Sequence, residues 1–323
     1  MKKFIFCFLL VFTACISCFG FTAYAEGDDL FLGGYAAGFT LTSKGAHVVG
    51  LSDVITENGI VSPAKNAGVQ TGDIIIKIDK SDVNDANDIE GAVKDACPKT
   101  LCVKRNGEYL FFSVTPVKDI CGNVKIGVFV RDDMNGIGTI TYIKGNKFGS
   151  LGHPVLNEDE KIMEISGGKI FSCEINGFVK GERGTPGELR GTFDKKKAEG
   201  VIQKNTASGV FGTLNENFDK SNLKKITEGS AKIGNATIYS TITGQEPQEY
   251  NISIVKTDDH SETKNFVIKV TDKNLLNLTG GIVQGMSGSP IVQEGKLVGA
   301  VTHVFVNDPS RGFGISIKNM LNN

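Results

Sequence analysis

The sequence contains no tryptophan and only four histidines among its 323 residues. So few histidines leave very few positions for a general base or a metal ligand of this type. Net charge is also nearly absent, at −1, with 35 basic and 36 acidic residues interspersed along the chain. This balance argues against a nucleic acid or an anionic membrane surface as the main partner.

Cysteine is sparse outside the N-terminus. Three of the seven cysteines fall in the first 25 residues, and the others are Cys97, Cys102, Cys121 and Cys173. A bridge between Cys97 and Cys102 is compatible with their spacing, whereas Cys173 is expected to be a structural free thiol. No Cys/His spacing indicates a metal site, so we predict none.

The one long hydrophobic run lies at the N-terminus. Met1-Lys2-Lys3 is followed by the almost wholly apolar residues 4–21 and by Ala23-Tyr24-Ala25. This order is typical of a signal peptide over residues 1–25 with a small-x-small cleavage site. The alternative is an uncleaved membrane anchor, since the run nearly reaches the ~20 residues of a span. Either way, residues 26–323 are expected outside the cytoplasm.

The rest of the chain is rich in glycine and poor in regular helical patterns. There are 40 glycines, 40% hydrophobic residues and 22% charged residues, which is typical of a turn-rich globular protein. From residue 124 onward we expect strands at 124–130 and 137–143, with turns at Asn135-Gly136 and Gly145-Asn146. Such spacing predicts a β-sandwich or barrel, so the fold class is mainly β.

A smaller α+β domain is predicted over residues 35–117. Pro63 and Gly68 bracket a short helix, because proline favours a helix start and glycine follows its end. The isoleucine-rich run 74–78 indicates a buried strand, residues 85–96 an amphipathic helix, and Asn106-Gly107 a hairpin turn.

This domain, residues 35–117, resembles the PDZ domains of exported bacterial proteases. The resemblance rests on Ser62-Pro63-Ala64, Ala67-Gly68 and Gly72-Asp73-Ile74-Ile75. It implies a groove that adds an extended peptide as a further strand, with a loop that captures a terminal carboxylate. Gly38-Phe39 is the best match for that loop, although Phe39 is equally compatible with a place in the core.

The chemistry is concentrated in Gly285-Met286-Ser287-Gly288-Ser289-Pro290. Glycines let a turn take positive φ, and such a turn exposes a serine. The amides of Gly285 and Ser287 are then candidates for an oxyanion hole. The loop is similar to that of chymotrypsin-type serine peptidases, with Met286 where those have aspartate. The alternative is a glycine-rich hairpin between two buried strands.

A serine nucleophile needs a base, usually histidine, and an acid that orients it. His153 lies between a glycine and a proline at the end of an apolar run, which suits presentation into a cleft. His303 lies inside the strand after the serine loop and is expected to be structural or substrate-facing. Ser289 is a rival nucleophile, but Pro290 pushes it towards extended backbone, so Ser287 is preferred.

The whole chain resembles the stage IV sporulation protein B family of serine peptidases. The resemblance is carried by four strings, Gly127 to Thr139, Gly149 to His153, Thr185-Pro186-Gly187-Glu188, and Gly280 to Gly314. It implies a chymotrypsin-like double β-barrel over residues 119–323, with Ser287 as nucleophile, His153 as base and Asp272 as the third member.

From the residues alone, the acid stays open. Asp272 is equally compatible with capping the turn that follows it. The other candidates to orient His153 are Asp194, Asp219, Asp258, Asp259 and Asp308.

The resemblance further implies an exported signalling protease of spore formation that needs no cofactor. It would act between the membranes around the forespore and cleave a regulator of a membrane-embedded protease, thereby activating a late mother-cell sigma factor. The PDZ domain is expected to bind either the N-terminal segment of its own chain or the terminus of the substrate. Two other functions stay open, a general envelope quality-control protease and a non-catalytic PDZ adaptor.

Overall fold

The structure, a computed structural model, describes residues 29–157 and 160–323. The predicted export segment lies outside these residues. Within them, no helix is long and apolar enough to cross a membrane. The described part is mainly β, as predicted.

Four short helices are distributed along the described chain. They are α1 (Pro63–Ala67), α2 (Ala86–Val93), α3 (Lys273–Thr279) and α4 (Ile317–Leu321).

The strands of the first third of the chain are β1 (Leu30–Leu32), β2 (Ala36–Leu51), β3 (Val54–Thr56), β4 (Gly59–Val61), β5 (Ile74–Ile78), β6 (Ser81–Asp82), β7 (Lys99–Arg105), β8 (Glu108–Val114) and β9 (Val117–Lys118). Those of the middle are β10 (Val124–Lys125), β11 (Val128–Lys144), β12 (Lys147–Ser150), β13 (Ile165–Ser172), β14 (Glu174–Val179), β15 (Glu188–Thr192), β16 (Ala198–Thr206) and β17 (Gly209–Leu214). The last are β18 (Thr227–Glu228), β19 (Gly234–Ser240), β20 (Gln248–Thr257), β21 (Phe266–Val270), β22 (Pro290–Gln293), β23 (Lys296–Phe305) and β24 (Asp308–Ser316).

Six strands close into a first antiparallel barrel. Their order is β2, β11, β12, β17, β16 and β13, and β13 pairs back onto β2. Closure leaves no open sheet edge, and the interior is filled by side chains that include Ile143, Phe148 and Ile170.

A second barrel follows from contiguous chain. Its order is β19, β20, β21, β24, β23 and β22, and β22 pairs back onto β19. Its core includes Ile238, Ile252, Ile268 and Ile291, all buried. The predicted double β-barrel is therefore present in the described chain.

Strand β2 belongs to two parts of the molecule. Residues 36–43 lie between β11 and β13 in the first barrel, whereas Ala46 and His47 pair with β5. The small domain predicted at residues 35–117, beside the peptidase domain at 119–323, therefore includes residues 36–43 of a barrel strand. The smaller part, which we call the small unit, comprises residues 44–130 and has a core of its own around Ile75, Leu101 and Val103.

Gly38 and Phe39 do not form the predicted carboxylate-binding loop. Both lie in the barrel half of β2, paired with Ile137 and Gly136 of β11. Phe39 is only 4% exposed and packs inside the first barrel, so its place in the core is the correct alternative. A side chain at Gly38 would overlap Phe193, which explains the glycine without any peptide ligand.

The predicted turn at Asn135-Gly136 is also wrong. Both residues lie inside the 17-residue strand β11, opposite Thr40 and Phe39 of β2. The Asn135 side chain accepts a hydrogen bond from Thr40 Oγ1 at 2.7 Å, a cross-strand contact that takes the place of turn chemistry. The turn predicted at Gly145-Asn146 does connect β11 to β12.

The two helices and the hairpin that local sequence patterns predict in the small unit are confirmed. Pro63 starts α1 and Gly68 follows it with φ 100°. Asp85 caps α2 by accepting from the Asp88 amide at 2.8 Å, and β7 and β8 form the hairpin. All four described cysteines are free thiols, so Cys97 and Cys102 are not bridged, and burial raises the pKa of Cys173 to about 11.

Candidate active site

The loop between α3 and β22 carries Ser287 between two glycines whose backbone conformation strains any other residue. Gly285 and Gly288 have φ of 96° and 95°, in the left-handed region. A Cβ on Gly288 would lie 2.0 Å from the Thr139 carbonyl oxygen. The loop therefore packs directly against strand β11 of the first barrel.

Two threonines of β11 hold this loop. Thr139 Oγ1 donates to the Gly285 carbonyl at 2.9 Å, and Thr141 Oγ1 donates to the Gly288 carbonyl at 2.7 Å. The Thr139 amide also donates to the Ser287 carbonyl at 2.9 Å. Both threonines are fully buried, so these contacts fix the loop where water cannot compete.

The amides of Gly285 and Ser287 donate no hydrogen bond to any group in the described chain. The neighbouring amides are used, since Met286 donates to Val283 and Gly288 donates to Val301. Gly285 and Ser287 both line an open cavity. Two unpaired N–H groups at one cavity are what a developing oxyanion requires.

The two serines of the loop have opposite surroundings. Ser289 is completely buried, and its hydroxyl donates to Ser240 Oγ at 2.9 Å. Ser287 lines the cavity, and its hydroxyl donates to the Thr302 carbonyl at 2.6 Å. Only Ser287 is placed to meet a substrate.

His153 reaches the same cavity from the first barrel. It follows β12 through Leu151 and Gly152, whose φ values of 64° and 69° turn the chain sharply. A Cβ on Gly152 would lie 2.9 Å from Thr302 Cγ2, so this turn packs on the second barrel. The cavity therefore lies where the two barrels meet, with one catalytic candidate from each.

The ring of His153 is held in a defined tautomer. Its Nδ1 atom lies 2.8 Å from the Pro154 carbonyl oxygen. A carbonyl only accepts, so Nδ1 carries the proton and Nε2 has the free lone pair. Burial lowers the pKa of His153, and the Pro154 bond opposes this only in part. The imidazole is thus neutral at neutral pH, as a general base must be.

His303 lies against His153, with ring centroids 4.6 Å apart and planes inclined by 38°. Desolvation lowers the pKa of His303 to about 4, helped by repulsion from His153 in its protonated form and from Lys264. Both rings are therefore uncharged at neutral pH. His303 faces the cavity rather than the core, as one of the two sequence interpretations expected.

Thr302 contributes two groups to the site. Its carbonyl holds the Ser287 hydroxyl, which must leave that contact before its proton passes to His153. Its own Oγ1 is the one buried side-chain oxygen or nitrogen in the described chain without a hydrogen-bond partner. A buried unpaired hydroxyl costs stability, so the second barrel carries a local penalty at the cavity.

Asp272 is placed as a helix cap. Its Oδ1 atom accepts from the Asn274 and Leu275 amides, each at 3.0 Å, and Oδ2 accepts from Asn251 at 3.3 Å. It does not line the cavity, and the His153 Nδ1 atom is bonded to Pro154 instead. Its role as the third triad member stays a prediction from the family resemblance.

Four of the five other candidate acids accept hydrogen bonds away from the cavity. Asp308 accepts from Ser310, Asp219 from Ser221, Asp194 from Lys196, and Asp258 from His260. Within the described residues, no carboxylate lines the cavity.

The segment before β15 forms a further wall of the cavity. Gly187 accepts a hydrogen bond from the Gln284 amide at 2.8 Å, and Gln284 accepts one from the Leu189 amide at 2.8 Å. These bonds join the segment to the serine loop, and Pro186 lines the cavity beside it.

The cavity has a volume of about 390 Å³ and is open to solvent. A serine hydroxyl, a neutral imidazole and two free amides thus face one cleft between two closed barrels. This combination defines a serine peptidase site by the roles of its groups.

Comparison with known proteins agrees. The SpoIVB peptidase family S55 matches residues 122–321, well over half of the chain. The chain therefore belongs to this family of serine peptidases, and it is a serine endopeptidase.

Several solved structures have limited similarity to the chain. The Rv3671c protease in its inactive form is 11% identical, with a TM-score of 0.34, over 58% of this chain and 81% of that one. The active form, from M. tuberculosis, is 13% identical with a TM-score of 0.33, over 58% and 72% of the two chains. The human heparin binding protein is 15% identical with a TM-score of 0.27, over 55% and 75%. No curated protein sequence matched the chain.

Sequence reasoning missed the threonines that hold the serine loop. Thr139 and Thr141 stand two residues apart, so they face the same side of a strand. This two-residue spacing is the sequence signal that could have identified Thr139 and Thr141 as a pair. Only the fold shows that this side of β11 meets Gly285 and Gly288.

Proposed function

We propose that Ser287 and His153 perform acyl-enzyme proteolysis in the cleft between the barrels. The proposal rests on one observation, that the Ser287 hydroxyl, the His153 ring and the unpaired Gly285 and Ser287 amides line the same cavity.

The steps follow from these positions. The Ser287 hydroxyl leaves the Thr302 carbonyl, its oxygen bonds to the substrate carbonyl carbon, and its proton passes to His153 Nε2. The Gly285 and Ser287 amides hold the oxyanion. His153 then gives the proton to the leaving amine as the peptide C–N bond breaks. Water, deprotonated by His153, hydrolyses the ester and restores the serine.

A fluorophosphonate probe tests this directly with the residue 26–323 protein. We expect labelling of the wild type and of Ser289→Ala, and none of Ser287→Ala. Because Ser289 is buried, Ser289→Ala is also expected to cost stability, which a thermal melt measures. Absence of labelling in the folded wild type contradicts the mechanism, and loss only in Ser289→Ala reassigns the nucleophile.

We further propose that the protein is an exported signalling protease of spore formation. Membership of the SpoIVB peptidase family and the signal-like residues 1–25 support this. Its substrate would be a regulator of a membrane-embedded protease. The test is restoration of heat-resistant spores in a spore-forming strain that lacks its own family member. Wild type should restore them and Ser287→Ala should not. Broad cleavage of casein would instead favour the quality-control function.

The small unit is proposed to be a PDZ-like peptide-binding module, with a groove other than Gly38-Phe39. An open groove of about 980 Å³ lies beside α2 and is lined by Ile89, Val93 and Phe129. Val128–Val130 pair with β2 along one edge, and no strand in the described chain pairs along the other. Such an edge supports addition of an extended peptide as a strand.

The peptide proposed for this groove is the N-terminal segment of the same chain. A fluorescent peptide of residues 19–28 is the probe, and polarisation measures its binding to the residue 29–323 protein, which keeps strand β1. Phe129→Ser should weaken binding, because Phe129 is exposed in the groove. Phe111→Ser is the matched control, since Phe111 is equally exposed on β8 and outside it. Equal effects of both substitutions, or no binding by wild type, contradict the proposal.

A further inference from the structure

We propose that this peptidase selects an uncharged, apolar side chain on the residue whose carbonyl Ser287 attacks. The inference rests on the proposed acyl-enzyme mechanism, because that mechanism fixes where the attacked carbonyl lies. It identifies Ile282 and Val304 as the side chains that set the preference.

The position of the attacked residue follows from the oxyanion donors. A carbonyl oxygen between the Gly285 and Ser287 amides places the adjoining side chain in the remaining space of the cavity. That space has two walls, the loop at Ile282–Gln284 and the strand at Thr302–Val304. The two walls belong to the same hydrophobic cluster, since Val304 packs against the buried residues that include Ile282 and Val283.

The wall side chains are aliphatic. Ile282 and Val283 are almost completely buried, and the other apolar residues of the lining are Ile137, Leu151, Pro186, Val304 and Val306. Ile282 is held against β24, because a Cβ on Gly312 would lie 2.8 Å from Ile282 Cδ1. An apolar side chain that enters this space is removed from water at both walls.

Charge is missing from the lining. Within the described residues, no aspartate, glutamate, lysine or arginine lines the cavity. The two histidines that do are uncharged at neutral pH. A lysine or glutamate of the substrate would lose water here without gaining a partner, which is costly. The cavity therefore discriminates by exclusion as well as by attraction.

The experiment uses α-aminoalkyl diphenyl phosphonates carrying the side chain of valine, leucine, phenylalanine, lysine or glutamate. Ser287 Oγ forms a bond to phosphorus, one phenoxide leaves, and it takes up the serine proton through His153. Inactivation is followed as loss of fluorophosphonate labelling. Because no turnover is needed, the rate reports the fit of one side chain at one position.

We expect the leucine or valine compound to inactivate at least ~10-fold faster than the lysine and glutamate compounds. Equal rates for all five, or faster inactivation by a charged one, overturn the apolar-subsite proposal and leave the peptidase mechanism intact. A folded protein that reacts with neither the fluorophosphonate nor any phosphonate overturns both.

A negative charge at Val304, in the wall of the cavity, gives a second test of the proposed side-chain preference. Val304→Asp should reverse the order, slowing the leucine compound about 100-fold and speeding the lysine compound by about 10-fold. Val255→Asp is the matched control, since Val255 is exposed on β20 of the same barrel and does not line the cavity. Reaction of Val304→Asp with the fluorophosphonate itself shows that the variant is folded. An unchanged order in such a labelled variant assigns the side-chain subsite elsewhere and overturns the proposal.

Discussion

The two barrels contribute unequally to the active site. The second barrel supplies the serine loop, both oxyanion amides and the strand at Thr302–Val304. The first barrel supplies His153 and the threonines of β11 that hold the serine loop. One barrel therefore carries most of the chemistry, and the other supplies the base and holds the loop that carries the nucleophile. The comparison teaches that the site depends on the contact between barrels as much as on either barrel.

The largest effect is expected from Gly288→Ala, which breaks that contact. Positive φ strains alanine, and its Cβ would meet the Thr139 carbonyl oxygen at 2.0 Å. We expect a loss of about 3 kcal/mol or more, a melting temperature roughly 10 °C lower, and no fluorophosphonate labelling.

Gly295→Ala is the matched control. Gly295 has φ of 74°, but a Cβ there meets nothing within 4 Å. It should cost only about 1 kcal/mol and leave labelling unchanged. Similar results for the two glycines would show that φ alone, and not the barrel contact, is responsible.

Thr139→Val should produce the next largest effect. The change leaves the partly buried Gly285 carbonyl without its donor and loosens one oxyanion residue. We expect a loss of about 1–2 kcal/mol in unfolding free energy and roughly 10-fold slower labelling. Thr141→Val removes a similar bond to Gly288, which is not an oxyanion donor, so stability should fall as much and labelling less. Equal labelling in both would contradict a specific role of Thr139.

The pH dependence of labelling tests the pairing of the two histidines. Only neutral His153 accepts the serine proton, and burial lowers its pKa from 6.5. Labelling should therefore persist below pH 6.5 and fall as the pH drops through the lowered pKa. Removing the His303 ring in His303→Gln admits water to His153 and raises its pKa. The loss of labelling in acid should therefore begin at a higher pH. A loss that begins at the same pH as in the wild type would show that His303 does not desolvate His153.

Asp272→Asn separates a cap from a catalytic acid and is expected to have the smallest effect on the site. As a cap, Asp272 accepts from two α3 amides, and asparagine is also a good cap residue. On the structure we expect a loss below about 1 kcal/mol and labelling within about twofold of wild type. A loss of several orders of magnitude in labelling at normal stability would establish the triad that the family resemblance implies.

The same contrast explains what could be predicted from the sequence. The second barrel is built from contiguous chain, so Gly285, Ser287 and the following strand could be read from local glycine and apolar patterns. The first barrel is closed by pairs such as Phe39 with Gly136, which are separated by the whole small unit. At Asn135-Gly136 this long-range strand pairing overrides the local preference of Asn-Gly for a turn.

The candidate acid shows the other limit. Asp272 fits both a capping pattern and a family position, and the residues alone do not choose between them. Conversely, the Pro154 carbonyl that fixes the His153 tautomer is a backbone group, which leaves no mark in side-chain patterns.

Strand β2 has a mechanical consequence. Its 16 residues run about 50 Å through the small unit into the first barrel, with β11 beside it. Two long hydrogen-bonded strands form a connection that is stiffer than a single-chain linker. The ribbon has two bulges, between Phe129 and Val130 and between Arg131 and Asp133, and bulges bend a strand and raise its local twist. Thr139 lies on the same strand beyond both bulges, so the two bends separate the orientation of the small unit from the residue that holds the serine loop.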